Sequence, residues 1–201
     1  MKNILITQGL YKDHRNNLFT KLDFDWFIYA KKKKFRIQQI PITLNLDYLK
    51  NIKYDGVIFS GGNDLYKISR KEENRIRDTL EKKLIKYFLK KKKPMMFVCR
   101  GMQLISTINK CNLSKIKKHI VKNHKIIMKS GKILNVNSYH NYYLDKAPKG
   151  FATIANHSRD NSIEIMDNKM KKMLCLMFHP ERKSKSQKEV DKIFTSFFKL
   201  K

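Results

Sequence analysis

The fold of this chain is indicated most clearly by residues 94–103, Pro94-Met95-Met96-Phe97-Val98-Cys99-Arg100-Gly101-Met102-Gln103. Four consecutive apolar residues from Met95 to Val98 are typical of a strand that is buried on both faces. The residues that follow predict a helix over about 102–110. Cys99 therefore lies on a sharp turn from a strand into a helix.

The same alternation of short apolar runs and longer amphipathic stretches continues on both sides of this turn. It predicts strands over 3–7, 35–41, 54–60 and 95–98, and helices over 18–33, 46–51 and 69–91. Further strands are predicted over 121–128, 132–136, 151–156, 162–166 and 173–178, before a last helix over 186–200. Because right-handed crossovers place helices on both faces of a parallel sheet, this order predicts an α/β fold.

Length and amino terminus predict the organisation and location of the protein. The 201 residues suit a single domain, 1–201. The apolar run near the amino terminus is too short for a signal peptide or a spanning helix, so a cytoplasmic protein without a membrane partner is predicted. The three cysteines, Cys99, Cys111 and Cys175, lack a Cys-x-x-Cys spacing. This disfavours a disulfide framework and a zinc site.

The chain is strongly basic, with 45 Lys and Arg against 17 Asp and Glu and a formal net charge of +28. Such a charge is compatible with a polyanionic partner. However, the lysines are spread through almost every segment, and the dense runs at 31–34 and 90–93 follow amphipathic stretches, where cations suit a helix carboxyl terminus. We interpret the charge as solvated surface lysines and predict no nucleic-acid partner. A non-catalytic, polyanion-binding protein stays open as an alternative.

Cys99 is the first candidate for chemistry. A strand-to-helix turn is the geometry of a nucleophile elbow, at the sheet edge where ligands bind in open α/β folds. The positive end of the following helix favours a thiolate. The alternative is a small buried hydrophobic residue, which is the usual role of an isolated cysteine.

Two further segments supply what a nucleophile needs. His179 and Glu181 lie two residues apart after an apparent strand, and Pro180 favours an extended conformation for His179, so Glu181 can orient the imidazole. Gly61 and Gly62 follow another strand, where bare backbone N–H groups can approach a substrate oxygen. Each motif alone also fits an ordinary loop or tight turn. Their joint occurrence favours a nucleophile with a base and an orienting group.

Four segments, 60–64, 99–103, 137–140 and 178–181, resemble in order and spacing the four motifs of class I glutamine amidotransferases. They read Ser-Gly-Gly-Asn-Asp, Cys-Arg-Gly-Met-Gln, Asn-Ser-Tyr-His and Phe-His-Pro-Glu. The Cys-Arg-Gly-x-Gln form with Asn-Ser-x-His is most similar to the free-standing γ-glutamyl hydrolase branch. The resemblance extends from residue 3 to about residue 198. Together with the pattern of elements, it implies a flavodoxin-like three-layer sandwich with a mainly parallel central sheet.

The resemblance also implies roles for particular residues. Cys99 would be the nucleophile, His179 the base and Glu181 the group that orients it. The backbone N–H groups of Gly62 and Arg100 would form the oxyanion hole. The glutamyl α-amino and α-carboxyl groups would be held by four positions: Gln103, Asn137, Ser138 and Tyr139.

One departure concerns Phe97, where members of the family usually have glycine. A large side chain there must find room against the adjacent helix, or the elbow is displaced.

The implied reaction is acyl transfer to water. The expected enzyme cleaves a γ-glutamyl amide bond in a small-molecule substrate, releases glutamate and needs neither a metal nor an organic cofactor. A glutaminase subunit that delivers ammonia to a separate synthase partner is the alternative that remains within the family.

The leaving group is predicted to be anionic, with its nitrogen on a nucleotide diphosphate. The amino-terminal Ile-Thr-Gln and the later Leu-Asp-Phe-Asp-Trp resemble members of the branch that act on nucleotide-linked substrates in capsule biosynthesis. The overall positive field would also attract an anion. Loops 8–15 and 64–69 are the candidate leaving-group loops, and they contain four basic residues: Lys12, His14, Arg15 and Lys67.

Overall fold

The computed structural model describes residues 1–42, 45–115 and 123–200. The strands in these ranges are β1 Asn3–Ile6, β2 Gly9–Lys12, β3 Leu18–Lys21, β4 Arg36–Gln39, β5 Gly56–Phe59, β6 Met95–Val98, β7 Ser114–Lys115, β8 His124–Met128, β9 Ile133–Val136, β10 Tyr142–Tyr143, β11 Ala152–His157, β12 Ile163–Asn168 and β13 Met173–Leu176. The helices are α1 Asp25–Lys32, α2 Glu72–Lys90, α3 Arg100–Ile108 and α4 Gln187–Phe198, with a 3-10 turn at Asp47–Asn51.

Nine of the described strands form one sheet, in the order β4-β1-β5-β6-β13-β12-β11-β8-β9. The five strands from β4 to β13 are mutually parallel, and numbered along the chain they run 2-1-3-4-5, the flavodoxin order. The other four strands extend the sheet in antiparallel pairs. The predicted flavodoxin-like α/β class is confirmed. The sheet therefore has a parallel half and an antiparallel half that meet at β13.

Helices cover both faces of the parallel half and complete three layers. On one face, Trp26 of α1 and Phe194 of α4 belong to a core with Met96 and Val98. On the other face, the apolar side of α2 packs in a second core with Met95 and Phe97. Successive residues of β6 thus face opposite cores, because side chains alternate along a strand. All four β6 side chains are buried, as the continuous apolar run predicted.

Phe97 finds room in the second core. Its ring stacks on Phe59 of the neighbouring strand, with centroids 4.7 Å apart and the planes inclined by 6°. Phe97 is fully buried there. The larger side chain is accommodated beside β5, and the strand keeps its register with Phe59 opposite Phe97.

The predicted helix over 18–33 is wrong in its first part. Leu18–Lys21 is strand β3, which pairs with β2 in an antiparallel hairpin. The Asp13 carboxylate accepts hydrogen bonds from the N–H groups of Arg15 and Asn17 at 2.8 and 2.9 Å, and Asn16 adopts φ 65°. These features make a tight turn that reverses the chain. Helix α1 begins only at Asp25.

Other elements differ from prediction at their ends. Helix α3 begins at Arg100 and not at 102, because Cys99 alone makes the turn. Of the strand predicted over 121–128, His124–Met128 is observed, while 121 and 122 lie outside the described residues. No helix of the described ranges is long and apolar enough to cross a membrane.

Candidate active site

Three of the four motifs meet at the carboxyl edge of the parallel half. Strands β5, β6 and β13 are neighbours in register, with Phe59 opposite Phe97 and Leu176 opposite Val98. Gly61 and Gly62 follow β5, and Cys99 follows β6. His179 comes shortly after β13. Because parallel strands end at the same edge, segments far apart in the chain converge on one place.

Cys99 occupies the elbow that its position predicted. Its backbone has φ 50° and ψ −103°, and helix α3 starts at the next residue. Positive φ is rare for a residue with a Cβ, and such strain collects at functional sites. The Cys99 N–H donates to the Leu176 carbonyl at 2.7 Å, which ties the turn to β13. At Gly101 a Cβ would lie 2.3 Å from the Phe59 carbonyl oxygen, so only glycine permits this approach.

His179 connects Cys99 to Glu181. The His179 ring forms a hydrogen bond with Cys99, and its Nδ1 lies 2.7 Å from Glu181 Oε1. All three residues are buried. A Cβ at Gly61 would lie 2.6 Å from His179 Cε1 and 3.6 Å from Cys99 Cβ, so the glycine loop reaches the pair closely. The structure therefore brings together the predicted nucleophile, base and orienting carboxylate.

The charges around the pair favour a thiolate and an imidazolium. Burial opposes ionisation of Cys99, but the hydrogen bond and charge of His179, the charge of His140 and the Arg100 N–H together lower the pKa of the thiol. Burial also opposes protonation of His179. The Glu181 charge and the hydrogen bonds to Cys99 and Glu181 outweigh it and raise the pKa of His179 to about 10.

The pKa values of the other two cysteines are shifted in the opposite direction. Burial raises the pKa of Cys175 well above its ordinary value, and it also raises the pKa of Cys111. Of the three thiols, only Cys99 combines an elbow with a hydrogen bond to an imidazole. The lowered pKa and the positive-φ backbone therefore both indicate Cys99 as the candidate nucleophile.

Of the predicted oxyanion-hole positions, Arg100 directly follows Cys99, and Gly62 follows Gly61, where a Cβ would lie 3.6 Å from Cys99 Cβ. The Arg100 N–H at the start of α3 makes a hydrogen bond to the Cys99 sulfur. Gly62 has φ +121°, and a Cβ there would lie 2.9 Å from Arg77 Nη1 and 3.0 Å from the Tyr11 hydroxyl. Both conformation and space therefore require glycine at this position.

A buried group of charges, here called the arginine cluster, supports both the glycine loop and the elbow. Arg77 Nη2 donates to the carbonyls of Ser60 and Gly61 at 2.9 and 3.0 Å, and Arg77 Nε donates to Glu81 at 3.0 Å. The Arg100 guanidinium donates to both Glu81 and Asp78. The cluster has four members: Arg77, Asp78, Glu81 and Arg100.

Sequence reasoning missed the arginine cluster. The available signal was a pair of opposite charges, Arg77 and Glu81, one turn apart and next to Leu80 on the buried side of α2. Such a pair is ordinarily read as a solvated surface pair.

The predicted substrate residues lie around the same edge. Gln103 is in the first turn of α3, and its N–H donates to the Cys99 carbonyl at 3.1 Å. The Tyr139 ring stands edge-on to His179 at 5.7 Å and is 44% exposed. Ser138 is fully buried.

The Asn137 side chain is hydrogen-bonded to the backbone around His179. Its side-chain amide donates to the His179 carbonyl at 2.7 Å and to the Arg182 carbonyl at 3.1 Å. Its side-chain oxygen accepts from the His179 N–H at 2.9 Å. The Asn137 side chain thus holds His179 in place, and the Asn137 backbone N–H donates to Ser184 Oγ at 3.1 Å.

A cleft of about 410 Å³ opens beside His179 and the glycine loop. Arg182 lines it, stacks on the Tyr139 ring at 4.4 Å and is hydrogen-bonded to Asp23. Tyr11 comes from the predicted loop 8–15, whereas the lysine and arginine among the described lining residues are Lys21 and Arg182. Four basic residues proposed from the sequence are not among these described lining residues: Lys12, His14, Arg15 and Lys67.

Fold and site together define a class of protein, and a comparison with known families agrees. Residues 26–200 match the family described as glutamine amidotransferase class-I. The chain belongs to this family. Predictions of fold, family and motif order from the sequence are consistent with it.

Relatives and solved structures give more detail. The chain is 31% identical over 166 residues to a γ-glutamyl-CDP-amidate hydrolase from Campylobacter jejuni, with 81% of each chain covered. It is 28% identical over 150 residues to a glutamine-hydrolysing GMP synthase from Wolbachia, covering 69% of this chain and 28% of that one. A Thermoplasma acidophilum structure, described as a candidate component of GMP synthase, has a TM-score of 0.73 at 16% identity, covering 99% of this chain and 93% of that chain.

Proposed function

We propose that this protein is a cysteine-nucleophile hydrolase that cleaves γ-glutamyl amide bonds and releases glutamate. One observation carries the proposal: Cys99 lies on a positive-φ elbow and is hydrogen-bonded to His179, which Glu181 orients from the opposite side of the ring. This is the arrangement that nucleophilic acyl transfer requires.

The reaction proceeds in two halves. The Cys99 thiolate attacks the γ-carbonyl carbon, and the oxyanion is held by the N–H groups of Gly62 and Arg100. His179 gives its proton to the departing nitrogen, so the amine leaves and a γ-glutamyl thioester remains. A water molecule then attacks the thioester while His179 takes its proton. Collapse of this second oxyanion releases glutamate and restores the thiolate.

We further propose an anionic, nucleotide-linked leaving group such as that of γ-glutamyl-CDP-amidate. The cleft beside His179 contains the basic side chains of Lys21 and Arg182, together with the aromatic rings of Tyr11 and Phe24. Cations suit phosphate groups and aromatic faces suit a base. The similarity to the γ-glutamyl-CDP-amidate hydrolase of Campylobacter jejuni supports the same substrate class.

The first experiment tests the nucleophile. Cys99→Ala is expected to abolish glutamate release, whereas Cys111→Ala leaves it nearly unchanged. Cys111 is the matched control because it is also a free thiol, placed outside the elbow. Equal losses in the two variants would contradict the assignment.

The second experiment tests the leaving group. Purified protein is given γ-glutamyl-CDP-amidate, γ-glutamyl-GABA and glutamine in separate assays of glutamate release. We expect kcat/KM for the nucleotide substrate to exceed the others at least tenfold, about 1.4 kcal/mol of transition-state preference. Lys21→Ala should reduce only the nucleotide value, with Lys12→Ala as the control. A preference below tenfold rejects the nucleotide and keeps the hydrolase.

A glutaminase subunit is the second candidate, and the GMP synthase relative favours it. The chain covers only 28% of that relative, so the similarity concerns one part of a larger protein. A glutaminase subunit should hydrolyse glutamine slowly until a synthase partner is added. Rapid hydrolysis of a γ-glutamyl amide by the protein alone would reject this candidate. Salt-dependent binding to nucleic acid without any hydrolysis would favour the polyanion-binding alternative.

A further inference from the structure

A second buried group of ionisable side chains lies in the antiparallel half of the sheet. His124 is on β8, Glu164 is on β12, and His140 belongs to the segment that follows β9. All three are buried, and one ligand atom from each lies within 4.8 Å of the others. They are here called the histidine cluster. The proposed acyl transfer uses none of them as a nucleophile, base or oxyanion donor.

The orientation of the His140 ring requires a cation in this cluster. His140 Nδ1 lies 3.1 Å from the Tyr142 carbonyl oxygen, an acceptor only, so Nδ1 carries a hydrogen. His140 Nε2 then faces Glu164 Oε1 at 3.5 Å. In a neutral imidazole this nitrogen would present a lone pair to a buried carboxylate. Either a proton or a metal ion must therefore lie between them.

The distances favour a metal ion over a proton. Glu164 Oε2 lies 3.3 Å from His124 Nε2, and Glu164 Oε1 lies 3.5 Å from His140 Nε2, so each imidazole faces its own carboxylate oxygen. A proton shared by an imidazolium and a carboxylate draws the two atoms to about 2.7–2.9 Å. Two ligands of a tetrahedral zinc ion with bonds of about 2.0–2.1 Å are roughly 3.3–3.4 Å apart. Both nitrogen–oxygen separations are nearer to this ligand spacing than to a short shared-proton contact, and the candidate ligand atoms all lie within 4.8 Å of one another.

The donor set is also that of zinc. Two imidazole nitrogens and a carboxylate are ligands that Zn²⁺ takes readily, whereas Ca²⁺ and Mg²⁺ prefer all-oxygen surroundings. The hydrogen bond from His140 Nδ1 to a backbone carbonyl is the kind of outer contact that orients metal-bound histidines.

We propose that His124, His140 and Glu164 bind one Zn²⁺ ion, with the fourth position taken by water. The ion ties β8 and β12 to the segment that carries Asn137, Ser138 and Tyr139. It thus positions the predicted substrate loop and takes no step in the acyl transfer. This inference is independent of the identity of the leaving group.

The first test measures metal content. Full-length protein purified from zinc-supplemented medium without chelator is expected to contain about one zinc per chain by mass spectrometry. His124→Gln and Glu164→Gln should each lower this value at least tenfold. His14→Gln, which removes a histidine of the β2–β3 turn, should retain the metal. Cys99→Ala should also retain it, which separates this site from the Cys99–His179 pair. Absence of stoichiometric zinc, or equal retention in all variants, overturns the proposal.

The second test uses the unmutated protein, so its main result does not depend on whether a variant folds. Protein stripped with a chelator is titrated with Co²⁺, and the expected spectrum has the visible bands of a tetrahedral ion without a thiolate charge-transfer band. Addition of Zn²⁺ should remove these bands and raise the melting temperature of the stripped protein. A thiolate band that disappears in Cys99→Ala, or no cobalt binding at all, would show that the cluster holds a proton and not a metal.

Discussion

The parallel and antiparallel halves of the sheet each bury a charged cluster beside the candidate site, but the two clusters differ in kind. The arginine cluster of the parallel half has two guanidiniums and two carboxylates, and although burial and the neighbouring Arg100 lower the pKa of Arg77 to about 10, its charge persists at neutral pH. The histidine cluster has imidazoles, whose charge depends on a bound proton or metal. The difference indicates that permanent charges hold the elbow, whereas charges that depend on a bound proton or metal lie beside the predicted substrate loop.

The largest effect is expected from breaking the arginine cluster. Glu81→Gln removes the carboxylate that Arg77 and Arg100 share, and leaves two buried guanidiniums with less counter-charge. We expect the free energy of unfolding to fall by about 3–5 kcal/mol and glutamate release to be lost. Urea denaturation measures the first effect. Glu72→Gln, which breaks an exposed pair with Arg75, should leave both quantities unchanged. Similar losses in the two variants would show that burial of the cluster is unimportant.

Asn137 joins the two halves, and its removal should have a smaller effect. Asn137→Ala deletes the hydrogen bonds to the His179 backbone and leaves those buried groups without their partner. We expect a loss of about 1–3 kcal/mol in the free energy of unfolding, together with a fall in kcat that exceeds the change in KM. Asn156→Ala removes one exposed hydrogen bond and serves as the control. A change confined to KM would contradict the role assigned to the side chain.

The pH dependence of thiol alkylation sharpens the comparison between the elbow and the rest of the chain. His179, His140 and the Arg100 N–H face Cys99 and lower its pKa, with Glu181 behind His179, whereas the pKa of Cys111 is raised. A lowered pKa leaves more thiolate as the pH falls. At pH 7 we therefore expect iodoacetamide to alkylate Cys99 on the order of tenfold faster than Cys111, although Cys99 is only 8% exposed.

Peptide mass spectrometry after timed labelling resolves the two sites. Glu181→Gln should reduce the difference, because the charge that holds the proton on His179 is gone. Labelling that follows solvent exposure at every pH, with Cys111 always faster, would refute the ion pair.

The smallest effect is expected at Phe97. Phe97→Leu keeps an apolar side chain in the pocket against Phe59, so the free energy of unfolding should change by about 1 kcal/mol and kcat by less than twofold. Gly101→Ala is the contrasting variant, since its Cβ would meet a backbone oxygen. It should lose most activity. A large loss from Phe97→Leu would mean that the elbow depends on residue 97 and not on the approach at Gly101.

Local pattern was sufficient for much of this fold. Strand β6 was predicted with its observed bounds, because four apolar residues in a row require burial on both faces. The candidate triad could also be predicted from the sequence, since residues at the ends of neighbouring parallel strands lie at the same edge of the sheet. The β2–β3 hairpin was not predicted. Its polar turn and exposed strand lack an apolar alternation, and the stretch from Leu18 was joined to the amphipathic pattern of α1.

What the amino-acid sequence determined by itself is therefore the order of elements, the family and the identity of Cys99, His179 and Glu181 as a group. These depend on short-range periodicity and on motifs at strand ends. Only the tertiary structure decided that Arg77 and Glu81 are buried beneath the elbow, and that His124, His140 and Glu164 come together. Charged residues are ordinarily solvated, and their burial depends on partners that the fold brings from distant segments.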